Sequence, residues 1–117
     1  MDLTVRISDL EGWALARVDG DVDVATAPRL REQLIGVITG GQTRIVLDLD
    51  GVAFLDSTGL GVIVGLLKRA RTLGGDVRLV CTQPGVRKVF EITALDRTMP
   101  LADSPLAALD GTPTAGA

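Results

Sequence analysis

Arg44-Ile45-Val46-Leu47-Asp48-Leu49, the stretch from Asp50 to Asp56, the run Ser57-Thr58-Gly59-Leu60-Gly61-Val62-Ile63-Val64 that continues to Gly74-Gly75, and then Val77-Arg78-Leu79-Val80-Cys81 together decide the fold. Residues 44–49 form a nearly continuous apolar, β-branched run of strand length, as a strand buried on both faces does, and 77–81 read as another buried strand. Between them Leu60, Ile63, Val64 and Leu67 recur at helical spacing, which predicts a helix over 58–73. Lys68, Arg69 and Arg71 suit the negative C-terminal end of that helix, and Gly74-Gly75 ends it. Residues 50–56 read as a loop. Strand, helix and strand in this order make a βαβ unit, with parallel strands and the helix packed on them.

Working outward toward the N-terminus, Leu3, Val5 and Ile7 alternate with Thr4, Arg6 and Ser8, the pattern of a half-buried strand over 2–8. Asp9-Leu10-Glu11-Gly12 is a turn and Trp13–Val18 a second strand, so the two make an antiparallel hairpin. Gly20-Asp21-Val22-Asp23-Val24 reads as a loop or strand end. Leu30, Leu34, Val37 and Ile38 then mark a helix over 26–39, with Pro28 in its first turn and Gly40-Gly41 as its stop. Toward the C-terminus, Pro84 opens a third helix with Val86, Val89, Phe90 and Ile92 facing inward. Arg97–Leu101 fits a short edge strand that tolerates Pro100, and Ser104-Pro105 begins a short helix to Leu109. The order β-β-α-β-α-β-α-β-α predicts an α/β fold: a mixed, largely parallel sheet flanked by about four helices. The expected organisation is one domain over 1–110 with a frayed tail over 111–117.

Composition narrows the function. Apolar residues make up 46% of the 117-residue chain, which argues against disorder. Trp13, Phe54 and Phe90 are the only aromatics, so Val, Leu, Ile and Ala must build the core. Net charge is −3 with the signs interspersed, which supplies no basic face for nucleic acid or an anionic membrane. No apolar segment approaches the roughly 20 residues of a membrane span, and the N-terminus has no signal-peptide core, so a soluble cytoplasmic protein is expected. Cys81 is the sole cysteine and reads as a small buried hydrophobe, its free thiol fitting a reducing compartment.

The chain lacks histidine and tyrosine, which removes the commonest general base and any Ser-His-Asp triad. With one cysteine it has no convincing transition-metal set. Asp19, Asp21 and Asp23 suggest a calcium loop, but Val24 and Leu30 occupy the positions that need Gly and Glu. Gly59, Gly61 and Gly65 give G-x-G-x-x-x-G, which departs from the dinucleotide fingerprint. An enzyme or nucleotide-binding protein is therefore the weaker reading.

Asp56-Ser57-Thr58 places three capping-competent residues where a loop enters a helix. A helix start exposes unpaired N–H groups and the positive end of the dipole, so a phosphate added to a hydroxyl there sits near donors. That phosphate brings roughly −1.5 to −2 charges beside Asp56 and would repel an acidic or apolar partner surface. A fold with a modifiable cap and no catalytic equipment looks like a switch.

Phe54-Leu55-Asp56-Ser57-Thr58-Gly59-Leu60-Gly61-Val62 resembles the signature of bacterial anti-sigma factor antagonists of the STAS superfamily. Gly20-Asp21-Val22-Asp23, Ala27-Pro28-Arg29-Leu30-Arg31-Glu32, Leu73-Gly74-Gly75, Val77–Val80 and Val89–Leu95 match in order, and the resemblance runs from about residue 3 to residue 109. It implies a mixed sheet flanked by helices and a partner that is both an anti-sigma factor and a serine kinase with its own ATP site, so that this chain needs no cofactor. The unphosphorylated antagonist binds that partner and frees a sigma factor. Phosphorylation of the serine after the motif aspartate, here Ser57, ends the contact, and a serine phosphatase restores it. Some relatives carry a second serine where this chain has Thr58. The resemblance also implies that Asp56 shapes the helix entry and orients the hydroxyl, and that Gly59 and Gly61 admit the kinase backbone. Leu60 is equally a contact or core, and Asp21 and Asp23 form a neighbouring edge. The alternative is a scaffold subunit of the same fold that is never phosphorylated.

Overall fold

The computed structural model describes residues 3–110. Its elements are β1 (Thr4–Leu10), β2 (Trp13–Val22), α1 (Ala27–Thr39), β3 (Arg44–Leu55), α2 (Ser57–Thr72), β4 (Asp76–Val80), α3 (Pro84–Ile92), a 3-10 turn (Leu95–Arg97), β5 (Leu101–Ala102) and α4 (Pro105–Asp110). The strands form one sheet in the order β1-β2-β3-β4-β5. β1 runs antiparallel to β2 and every other pairing is parallel, which is the mixed, largely parallel sheet expected. The expected tail over 111–117 lies outside the described residues.

Local chemistry explains the joints. Leu10 pairs with Trp13, leaving Glu11 (φ 49°) and Gly12 (φ 88°) as a two-residue hairpin loop with both central residues left-handed, the geometry whose twist matches paired strands. At the end of α2 the Gly75 N–H donates to the Ala70 carbonyl (2.8 Å) and the Gly74 N–H to the Arg71 carbonyl (3.0 Å). This double closure needs a left-handed residue, and Gly74 (φ 83°) supplies it.

The sheet is covered unequally. Alternate residues Ala14, Ala16, Val18, Ile45, Leu47, Leu49, Val77 and Leu79 point into the main core, with Leu30 and Leu34 of α1, Ile63 and Leu67 of α2, and Val86 and Phe90 of α3. Leu15, Val46 and Val80 point the other way, toward Ala108 of α4. There Arg78 lies 4.5 Å from the centre of the Trp13 ring, and its Nη1 donates to the Ala108 and Leu109 carbonyls at the end of α4. Residues 45–49 are buried throughout, as their apolar run implied. Cys81 is buried too, and burial pushes its thiol pKa up.

Three expectations need correction. The stretch 50–56 is not a loop, because β3 continues to Leu55 alongside a lengthened β2, with Asp19↔Gly51, Gly20↔Val52, Asp21↔Phe54 and Val22↔Leu55 in register. Asp50-Gly51 has turn chemistry, but Gly51 serves a close approach: a Cβ there would meet the Asp19 carboxylate and lie 2.9 Å from the Val18 carbonyl oxygen. Register shifts at Arg17/Asp19 and Gly20/Asp21 absorb the mismatch. The last strand is Leu101–Ala102, since Leu95–Arg97 coils into a 3-10 turn that buries Met99. Ile92 faces solvent at 74% exposure instead of the core, lying off the stripe that carries Val86 and Phe90.

Candidate functional site

The lengthened β2 and β3 carry two helix entries to the same end of the sheet. The Asp56 N–H donates to the Val22 carbonyl (3.1 Å), which ties the start of α2 to the end of β2. Asp56 is the N-cap of α2, with extended backbone, and its Oδ1 accepts from the Gly59 N–H at 3.0 Å. Its carbonyl accepts from the Leu60 N–H at 2.9 Å. Ser57 is therefore the first helical residue; it is exposed, and among the described residues its hydroxyl has no hydrogen-bond partner. The N–H groups of Ser57 and Thr58 are left for solvent or a ligand, since the cap side chain reaches only Gly59.

The second entry stands beside it. Asp23 Oδ1 accepts from the N–H groups of Ala25 (2.9 Å) and Thr26 (3.0 Å), and the Thr26 hydroxyl donates to the Asp21 carbonyl at 2.7 Å. The Thr26 N–H, and after it that of Ala25, holds the Asp23 carboxyl below its ordinary 3.8. A depressed carboxyl stabilises the fold above its ordinary pKa, and that contribution disappears as pH falls through the lower folded value. The acid limb of stability should thus include an Asp23 component below pH 3.8. Urea midpoints measured down the acid range should fall less steeply in Asp23→Asn than in wild type.

Asp21, Asp23, Asp56, Ser57 and Thr58 thus lie at one end of the sheet, while Gly59 and Leu60 turn inward. Leu60 is 8% exposed and belongs to the core. A Cβ on Gly59 would collide with Val22 Cγ1 and lie 2.8 Å from Leu55 Cδ1. Gly59 is therefore a seat for α2 on β2 and β3, not an opening for a partner's backbone. Gly61 is exposed, with nothing within 4 Å of the place its Cβ would take. Two residues of this edge went without a role in the sequence reading: Phe54, 51% exposed, and Val24, 70% exposed. Phe54 neighbours Asp21 across the sheet, and strand alternation was the signal, because Leu55 and Val22 both point inward. Asp56→Ala should remove the α2 cap and lower stability by about 1 kcal/mol, read from chemical denaturation.

A family model, the STAS domain, matches residues 5–108. The chain belongs to the STAS domain family. This STAS domain is 32% identical over 110 residues to the anti-sigma F factor antagonist of Paenibacillus polymyxa, covering 93% of this chain and 94% of that one. It is 31% identical over 99 residues to the anti-sigma-B factor antagonist of Staphylococcus aureus, covering 85% and 92% of the two chains. Among solved structures, an anti-sigma factor antagonist from Mycobacterium paratuberculosis superposes with a TM-score of 0.86 at 29% identity, covering 94% of this chain and 93% of that one. Among the described residues of the STAS domain no helix is long and apolar enough to cross a membrane.

Proposed function

We propose that this STAS domain is an anti-sigma factor antagonist controlled by phosphorylation of Ser57. Unphosphorylated, it binds an anti-sigma factor that is also a serine kinase, and so frees a sigma factor in the cytoplasm. The kinase moves the γ-phosphoryl group of its own ATP to Ser57 Oγ, whose proton leaves to the kinase; ADP and the phosphorylated antagonist depart. A serine phosphatase hydrolyses the ester and resets the switch. The chain acts as a regulator and not an enzyme, with no cofactor, metal, nucleic acid or membrane of its own.

The observation that carries this reading is an exposed Ser57 hydroxyl, unpartnered among the described residues, on the first residue of a helix and next to a carboxylate already committed as the cap. A new phosphate has the Ser57 and Thr58 N–H groups within its own turn, so the modified helix remains stable. The same dianion stands beside Asp56, Asp21 and Asp23 and borders Phe54 and Val24. Unmodified, two of these carboxylates, Asp23 and Asp56, are occupied by backbone N–H groups, which leaves a hydroxyl and an apolar fringe for contact. A contact that desolvates such a surface is weakened when it must also desolvate a dianion. Relatives named antagonists of anti-sigma factors support the choice of partner.

The test is affinity capture from native lysate, followed by a kinase assay on the retained protein. Wild type should hold a small ATP-binding anti-sigma factor that places one phosphate on Ser57. Ser57→Ala should hold the same protein and take up no phosphate. If Ser57→Ala is phosphorylated as fully as wild type, Ser57 is only a helix residue. If no kinase is retained by either, the scaffold reading replaces this one.

A further inference from the structure

α1 and α2 lie side by side, and a groove of about 330 Å³ opens between them on the outside of the molecule. Thr58, Gly61, Gly65 and Arg69 of α2 and Arg31 and Ile35 of α1 line it. Glycine weakens a helix interior relative to alanine, so a helix that keeps two needs a reason. Gly59, in the same helix, has one in the packing beneath it. Gly61 and Gly65 have none among the described residues, because a Cβ at either would meet nothing within 4 Å. They are one turn apart and both exposed, and their missing side chains make up the floor of the groove.

The rim is cationic. Arg31 and Arg69 are exposed, and among the described residues neither has an ion-pair partner. In a larger cavity of about 570 Å³ beside β5, Arg71 is paired with Asp76 at 3.1 Å and Arg78 holds two carbonyls of α4, while Arg97 has no ion-pair partner among the described residues. From Thr58 to Arg69 the groove follows α2 for about 16 Å, which is about three turns of a docked helix. It begins one residue from Ser57, so a protein that reaches the Ser57 hydroxyl from the helix side lies over it.

We infer that the α1–α2 groove is the seat of a helix of the anti-sigma factor kinase, with small or apolar residues against Gly61 and Gly65 and acidic residues against Arg31 and Arg69. The inference rests on the reading of this chain as a kinase-binding antagonist and assigns the surface that holds the kinase while Ser57 is in reach. Apolar anchors of one helix set into a groove between two others are a recurring mode of recognition. Two basic groups at the ends of the groove would fix direction and register and make the association salt-dependent.

The experiment measures binding of the purified anti-sigma factor, captured as above, to wild type, Gly65→Leu, the double variant Arg31→Glu/Arg69→Glu, and Ser57→Asp. Gly65→Leu fills the groove with a good helix former and should bind at least tenfold more weakly while melting no lower than wild type. The double charge reversal should weaken binding at least tenfold and abolish the loss of affinity that wild type shows with added salt. Both variants should also be phosphorylated more slowly at Ser57. Equal affinity of both groove variants and wild type, with Ser57→Asp still released, overturns the groove and leaves the switch standing. Should Gly65→Leu fail to fold, the charge reversal decides alone. If wild type itself does not bind an anti-sigma factor, the antagonist reading falls and the groove inference falls with it.

Discussion

Ser57→Asp should lower affinity for the anti-sigma factor about a hundredfold or more, close to 2.7 kcal/mol, without lowering the stability of the domain. The two halves of this result have separate causes. Ser57 is exposed, its hydroxyl makes no hydrogen bond within the described residues, and it occupies the first turn of α2, where a carboxylate interacts favourably with the helix dipole. Folding thus tolerates the charge. Binding does not, because the new charge joins acidic neighbours: Asp56, already the cap, precedes it, and the Asp21–Asp23 entry ends the neighbouring strand, while Phe54 and Val24 are exposed apolar groups. Covering that surface strips water from an unpaired carboxylate, and a penalty of several kcal/mol outweighs a dipole term of at most about 1 kcal/mol. Calorimetric titration gives the affinity and a thermal melt gives the stability. A variant that binds like wild type would remove charge repulsion and desolvation as the switch.

Gly59→Ala should destabilise the domain by about 2 to 3 kcal/mol and lower the melting temperature by roughly 10 °C. Elsewhere in a helix the same change stabilises by about 1 kcal/mol. At Gly59 the new Cβ would overlap Val22 Cγ1 and press on Leu55 Cδ1 and the Val22 carbonyl oxygen, at 2.8 and 3.0 Å. Val22 is fully buried, and a β-branched side chain has little rotamer freedom with which to retreat. The start of α2 must lift instead, which strains the bond from the Asp56 N–H to the Val22 carbonyl and moves Ser57 off its edge. Gly61→Ala, which replaces one hydrogen with a methyl group that meets nothing within 4 Å, should raise the melting temperature. The opposite signs separate a packing role from a helix-propensity effect, and circular dichroism melts of the two variants read both.

Much of this was legible in the sequence because the signals are local. The Asp-Ser-Thr entry to α2, the glycine pairs that end α1 and α2, and the apolar run of β3 each declare themselves within a few residues. The convergence of Asp21 and Asp23 with Ser57 followed from the resemblance and is borne by the parallel pairing of β2 with β3. What stayed hidden depends on partners distant in sequence. Asp50-Gly51 has the composition of a turn, and only the Asp19 carboxylate lying over Gly51 reveals a strand glycine. Gly59 and Gly61 look alike in the motif, yet one rests against Val22 and the other faces open space. Phe54 defaults to the core by composition and is turned outward by strand alternation beside the inward Leu55, while Val24 lies in the turn after β2. The groove over Gly61 and Gly65 needs α1 beside α2 before it exists at all.

A phosphate on Ser57 is expected to separate the domain from its kinase. The most direct measurement titrates the purified anti-sigma factor with two preparations of the wild-type chain, one unphosphorylated and one carrying a single phosphate located on Ser57 by mass spectrometry. The first should form a tight complex and the second should bind at least a hundredfold more weakly, with affinity restored when a serine phosphatase removes the ester. Equal affinity for the two preparations would contradict that expectation.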